Sequence, residues 1–234
     1  MLGSADLHIH TSASDGVATI AEVLNHVQRN TLLDVIAITD HDRVDAACWA
    51  YDHRQRYSFE IIPGVEVTTI SGHVLGLWVT QPIPRDMSFE ETVAAIHEQG
   101  GLAVLAHPYH FYIDQIRRYC MGYTRHPERL VEIGFDAIEV HNAGILFPGL
   151  NVMARRLANR AGLPHLGNSD AHTLGAVGTG TTRFQGKTAE SLREAIINNQ
   201  TVVEGRAWHA TDYWNYLRNS TPNKSSEFLV EKFS

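Results

Sequence analysis

A chain of 234 residues, 44% hydrophobic and 19% charged, is long enough for one sizeable core. No run reaches the roughly 18 to 20 apolar residues of a membrane span, and no basic segment leads into an apolar leader, so a soluble cytoplasmic protein is expected. Two isolated cysteines, Cys48 and Cys120, exclude a disulfide framework and a paired-thiolate zinc site, and a net charge of −7 has the wrong sign for a binder of long nucleic acid.

In chain order, residues 5–11 read as a strand, 19–30 as an amphipathic helix with Ile20, Val23, Leu24 and Val27 on one face, and 33–39 as a β-branched strand. Helix 44–57 leads to strand 60–69, which hairpins through Ser71-Gly72 into strand 72–79. Helix 88–99 stops at Gly100-Gly101; strand 102–106 follows, then a helical pattern within 113–133 that His126-Pro127 can break. Strand 137–141, helix 150–161, strand 164–168, strand 178–184, helix 188–198 and strand 201–204 complete the series. Alternating strands and helices predict an α/β barrel or open α/β sheet over residues 1–205. Residues 206–234 mix aromatic and polar types without a sustained period and read as a tail or small cap.

The chain has fourteen histidines against three lysines, and their placement carries the chemistry. In Asp6-Leu7-His8-Ile9-His10 the period of a strand puts both imidazoles on one face, close enough to share an ion, while Leu7 and Ile9 face the packing layer. A single strand histidine is usually core or surface; a pair two residues apart at the end of a strand makes that reading much weaker. Asp15 follows in a loop, and Asp40 and His41 end the second strand. Glu66 follows Pro63-Gly64-Val65, and His107 and His141 each end a strand. Asp170 and His172 follow the strand ending near Asn168. In a barrel of parallel strands those ends converge on one rim, where active sites are assembled from several strands. Nine or ten such side chains cannot stand together unpaired, because repulsion and desolvation cost too much. Divalent cations resolve the conflict: at three or four protein ligands each, the set suits two or three ions bridged by a carboxylate.

The motifs His8-Ile9-His10, Ser14-Asp15-Gly16, Thr39-Asp40-His41, Pro63-Gly64-Val65-Glu66, Ala106-His107-Pro108, Glu139-Val140-His141 and Ser169-Asp170-Ala171-His172, in order over about residues 5–185, resemble the PHP (polymerase and histidinol phosphatase) family. The resemblance implies a distorted seven-stranded (β/α) barrel, a trinuclear metal centre and phosphoesterase chemistry. It assigns His8, His10, Glu66 and Asp170 to one metal, and Glu66, His107 and His141 to a second. Asp15, His41 and His172 fall to the third, with Asp15 standing where many relatives carry histidine. Zinc, manganese and iron all suit such donors.

The mechanism expected from this set is in-line attack on phosphorus by a metal-bridging hydroxide, without a residue nucleophile. Asp40 is then an orienter of His41 or a proton donor, or else the N-cap of the helix beginning near Val44. His73, in Gly72-His73-Val74-Leu75-Gly76, contacts phosphate or holds Glu66, or is a strand histidine bonded to backbone. For the substrate, His110 lies within the aromatic run after His107, Arg117, Arg118 and Arg125 follow that run, and Arg183 follows the last motif; His110, Arg118 and Arg183 are candidate substrate contacts, the two arginines as phosphate clamps, against a plain solvated face.

Nucleotide-phosphatase relatives carry a longer helical insertion before the His-Pro motif. Here only 33 residues lie between His73 and His107, so any cap is shortened, absent, or supplied by residues 109–129 or by Trp208, Tyr213, Trp214 and Tyr216 of the tail. The expected substrate is a small phosphorylated metabolite or nucleotide. The alternatives are a 5′-3′ exonuclease or nucleoside bisphosphate phosphatase acting on short ends, and a non-catalytic metal-binding module. No membrane partner is expected, and nothing in the sequence fixes the oligomeric state.

Overall fold

The computed structural model describes residues 1–109 and 122–219. Its strands are β1 (Leu2–Asp6), β2 (Val35–Ile38), β3 (Glu60–Thr69), β4 (Gly72–Leu77), β5 (Leu102–Leu105), β6 (Ala137–Asn142), β7 (His165–Asn168), β8 (Gly180–Gln185) and β9 (Val202–Gly205). They form one sheet in the order β7-β6-β5-β4-β3-β2-β1-β8-β9. Strands β1, β2 and β3 are parallel neighbours, as are β5, β6 and β7; β4 is antiparallel to both of its neighbours, and β8 and β9 add an antiparallel flank beside β1. The sheet curls until its ends nearly meet: Thr182 Oγ1 and the Gly167 backbone bond to one another, and an isolated parallel bridge joins Ile9 to Ala171. Gly167 makes that approach possible, since a Cβ there would stand 2.5 Å from Val203. The result is the barrel-like α/β domain of the sequence reading.

The helices are α1 (Ile20–Asn30), α2 (Asp45–Asp52), α3 (Phe89–Glu98), α4 (Glu128–Ile133), α5 (Pro148–Ala161), α6 (Ala189–Ile197) and α7 (Ala210–Asn219). Three start at reciprocal caps, Thr19 with Glu22, Ser88 with Glu91 and Thr188 with Ser191, each satisfying amides that a first turn leaves unpaired. Gly134 and Gly162 end α4 and α5 in the left-handed conformation. One apolar cluster takes a residue from every strand between β1 and β8, among them Ala5, Val35, Leu75, Val104, Leu166 and Phe184, and is plugged by Leu192 and Ile196 of α6. The other two lie between strands and the outer helices. Among the described residues no helix is long and apolar enough to cross a membrane.

Two differences from the sequence reading bear on function. The β1 ladder ends at Asp6 instead of residue 11, because side chains take over its hydrogen bonds: the Leu7 amide donates to Asn168 Oδ1 and the Ile9 amide to Thr39 Oγ1. His8 and His10 therefore stand just beyond the strand, where the chain crosses the mouth of the barrel. Residues 210–219, read as aperiodic, form α7, whose Tyr213 and Tyr216 pack on the α1 and α2 cluster together with Trp208.

Candidate metal centre and its cavity

Strand ends and the loops after them bring nine of the singled-out side chains together: His8, His10, Asp15, His41, Glu66, His73, His107, Asp170 and His172. Glu66 is the hub. Its Oε2 stands 3.1 Å from His8 Nε2, 3.2 Å from His10 Nε2 and 3.4 Å from His41 Nδ1, while its Oε1 stands 2.9 Å from His107 Nε2 and 2.8 Å from His73 Nδ1. Asp170 Oδ1 adds contacts of 3.3 Å to His8 Nε2 and 3.2 Å to His10 Nε2. Across from these, Asp15 Oδ2 lies 3.1 Å from His172 Nε2 and 3.8 Å from His41 Nε2.

The donor set fits divalent cations. Atoms held about 2.0 to 2.1 Å from a tetrahedral centre stand about 3.3 Å apart, close to the spacing of His8 Nε2, His10 Nε2, Glu66 Oε2 and Asp170 Oδ1. His10 Nε2, His41 Nδ1 and His73 Nδ1 are buried and near carboxylate oxygens, yet none meets the geometry of a hydrogen bond. Buried polar atoms are ordinarily paired, and an ion between the nitrogens and the oxygens would pair them. The backbone carries strain at the same place: His107 and Asp170 adopt positive φ of 23° and 52°, conformations costing about 1 to 3 kcal/mol each that persist where the surroundings enforce them.

Neighbouring groups fix which ring nitrogens face inward. His8 donates through Nδ1 to Glu139 Oε1 at 2.9 Å, and His172 donates through Nδ1 to the Asp170 carbonyl at 2.8 Å, so in both rings Nε2 is left for the centre. Glu139 is fully buried, and its other contacts come from the His107 amide, Asn142 Nδ2 and Asn168 Nδ2. For the chain alone, burial opposes ionisation, but the carboxylates outweigh it: His8 is held well above the ordinary histidine range and His10 is pushed up to about 10. Burial likewise opposes the charge on Glu66 and Asp170, yet the surrounding imidazoles hold both well below the usual carboxylate range.

Several expected site residues fall elsewhere. His141 stands apart because β6 slips register between Glu139 and His141, and such a bulge breaks the alternation that would put both on one face. Its ring lies against Gly180 and Gly205 and lines a separate cavity with Arg155 and Arg206; Glu139 turns toward the centre instead, against the ring of His8. Arg183 sits on β8, which runs antiparallel to β1 and pairs it with Ser4, four residues before His8, so its side chain is near Glu204 and far from the rim. Asp40 neither caps α2, where Val44 stands at the N-cap without a side-chain bond, nor lines the cavity. It accepts from the Thr11 amide and hydroxyl at 2.7 and 2.8 Å and from Ser14 Oγ at 2.6 Å, tying down the loop that carries Asp15. His73, expected as a phosphate contact or a support of Glu66, has its ring among the cluster, 5.0 Å from that of His41 and 5.3 Å from that of His107. His110, Arg117 and Arg118 lie outside the described residues.

The centre forms the floor of a cavity of about 500 Å³ whose wall includes Trp208, Tyr213 and Tyr216, a volume suited to a small ligand. Tyr216 donates to Asp15 Oδ2 at 3.4 Å, and its ring meets that of His172 edge-on at 4.7 Å. Glu139 was missed although its motif was legible, because only the register slip tells which residue of Glu-Val-His turns inward.

Comparison with known proteins agrees with this geometry. A family model described as PHP-associated matches residues 148–201. The uncharacterized protein MJ1587 of Methanocaldococcus jannaschii is 32% identical over 150 residues, covering 59% of this chain and 81% of that protein. The 5′-3′ exoribonuclease Rnm of Salmonella typhimurium is 37% identical over 95 residues, 37% of this chain and 32% of that protein. A two-domain protein of Bacteroides vulgatus, described as containing a predicted PHP-like metal-dependent phosphoesterase, superposes with a TM-score of 0.68 at 16% identity over 94% of this chain and 70% of that one.

Proposed function

The chain belongs to the PHP family; from that premise we propose that it is a metal-dependent phosphoesterase that hydrolyses phosphomonoesters of small metabolites or nucleotides at a centre of three divalent ions. The observation that carries the reading is the way Glu66 divides its two oxygens between two groups of imidazoles, with a third group around Asp15. One ion would be held by His8, His10, Glu66 and Asp170. A second would be held by Glu66, His73 and His107, with His73 in the place that the resemblance gave to His141. A third would be held by Asp15, His41 and His172. Divalent ions in such a site lower the pKa of water and neutralise charge on phosphoryl oxygens.

The protein's own contribution is placement. Glu139 presents Nε2 of His8 to the centre, Asp40 fixes the loop bearing Asp15, and Trp208 and α7 enclose one side of the cavity. Among the described residues no lysine or arginine lines that cavity, so there the imidazoles and their cations meet the phosphate charge. Likeness to the exoribonuclease supports a second reading, trimming of short 5′ ends; the net charge of −7 disfavours long polynucleotides.

Metal analysis of the purified protein, then phosphate release from mononucleotides, nucleoside bisphosphates, sugar phosphates and 5′-phosphorylated oligonucleotides, tests the proposal. Two to three equivalents of Mn²⁺, Zn²⁺ or Fe²⁺ and turnover of monoesters are expected, with kcat/KM falling by about a thousandfold or more in Glu66→Ala. An undiminished rate in Glu66→Ala combined with His8→Ala would overturn it.

A further inference from the structure

The cavity above the metal centre has two chemically different parts. Its floor is the imidazole and carboxylate cluster; its wall is Trp208, Tyr213 and Tyr216, with Leu146 and Leu217 also lining it. These wall residues lie outside the seven motifs and have no assigned role in holding a metal.

The wall is a cluster of mutually tilted rings, Tyr213 at 41° and Tyr216 at 82° to the Trp208 indole. Trp208 is buried, its Nε1 donating to the Ser169 carbonyl at 2.7 Å, and Gly144 leaves the room it needs, since a Cβ there would stand 3.2 Å from the indole. The Tyr213 ring lies 5.1 Å from that indole, with its hydroxyl donating to the Gly144 carbonyl at 3.3 Å. Tyr216 is anchored by its hydroxyl to Asp15, so the wall begins within one ring of the metal cluster. The polar ends of all three aromatics are thus engaged, which fixes the rings and leaves Tyr213 and Tyr216 partly exposed toward the cavity. Leu146 and Leu217, from a loop and from α7, line the same cavity and are 67% and 73% exposed. Apolar side chains held in water beside a polar site mark a surface that a ligand covers.

We propose that Tyr213, Tyr216 and Trp208, flanked by Leu146 and Leu217, form a ring-binding subsite that selects phosphomonoesters whose leaving group carries a flat aromatic ring. The assignment rests on the phosphoesterase reading for the position of the phosphate, and it narrows the substrate from phosphomonoesters in general to ring-bearing ones. With the phosphate at the centre, the remainder of the substrate extends along this wall. Aromatic faces stack on any flat ring with little regard to its hydrogen-bonding pattern, so the subsite selects the presence of a ring and not one particular base.

Adenosine 5′-monophosphate and ribose 5-phosphate share phosphate and sugar and differ by the base, so they isolate the subsite. With the metal-loaded full chain, both kcat/KM and calorimetric affinity are expected to favour the nucleotide by about tenfold or more. Tyr213→Leu is expected to bring that preference down several-fold, while Tyr213→Phe, which keeps the ring, retains it. A nucleotide preference near one in both measurements, or one unmoved by Tyr213→Leu, overturns the subsite even if both compounds are hydrolysed. Preferential binding of the nucleotide without hydrolysis of either compound leaves the subsite standing and refutes the monoesterase reading instead.

Discussion

At the scale of single residues, the centre depends on groups outside the ligand sets proposed above. Glu139 uses both oxygens on four donors: the His8 ring, the His107 amide and the side-chain amides of Asn142 and Asn168. Glu139→Gln would place an NH₂ group against donors in this fully buried position, leaving at least one unpaired and freeing the His8 ring to rotate. Manganese affinity, read by competition with a chelating dye, is expected to fall about 10- to 100-fold in that variant. Tyr216 acts more gently, because its 3.4 Å bond to Asp15 is long and Asp15 is partly exposed. Tyr216→Phe is expected to weaken the cation bound near Asp15 and His172 by about threefold, in keeping with a modest net hydrogen bond. In an Asp15→Asn background the same change should have a much smaller effect, and equal losses in both backgrounds would show that the hydroxyl acts only by supporting α7.

At the scale of elements, the strand ends explain both what the sequence revealed and what it concealed. Period-two alternation, helical periodicity and turn residues were enough to place most strands and helices, and the ends of β2, β5 and β7 deliver their His and Asp residues where parallel strands must. What escaped was register and direction. The slip in β6 exchanges Glu139 for His141, and antiparallel β8 takes Arg183 to the opposite end of the barrel; both depend on pairing between distant segments, which local pattern does not encode. Trp208 and the tyrosines of α7 were visible as aromatic residues, but only their packing on the barrel brings them to the cavity. The β6 slip is testable. His141→Ala is expected to leave the number of bound metal ions unchanged, whereas His73→Ala is expected to lose about one equivalent; elemental analysis of both variants after dialysis decides between the two histidines.

At the scale of the whole molecule, the cluster is a store of paired charge that cations replace. Three divalent ions would add six positive charges to the net −7, concentrating positive potential at one rim of an otherwise acidic protein. In the chain without metal, protons do this work: His10 titrates at about 10 instead of 6.5, because Asp170 and Glu66 more than offset its burial. A basic group with a raised folded pKa contributes stability in full below its unfolded value, and that contribution is lost as pH rises toward the folded one. The melting temperature of the metal-free protein is therefore expected to decline between about pH 6.5 and pH 10, as deprotonation leaves Glu66, Asp170 and Asp15 facing one another without compensation. Bound manganese supplies the missing charge and should flatten that decline. The same exchange requires that metal uptake expel protons, so that affinity rises with pH over this interval. Calorimetric titration at pH 7 in buffers of different ionisation enthalpy counts the protons released; a count of zero, with a melting temperature that does not depend on pH, would remove the imidazolium cluster as the metal-free form of this centre.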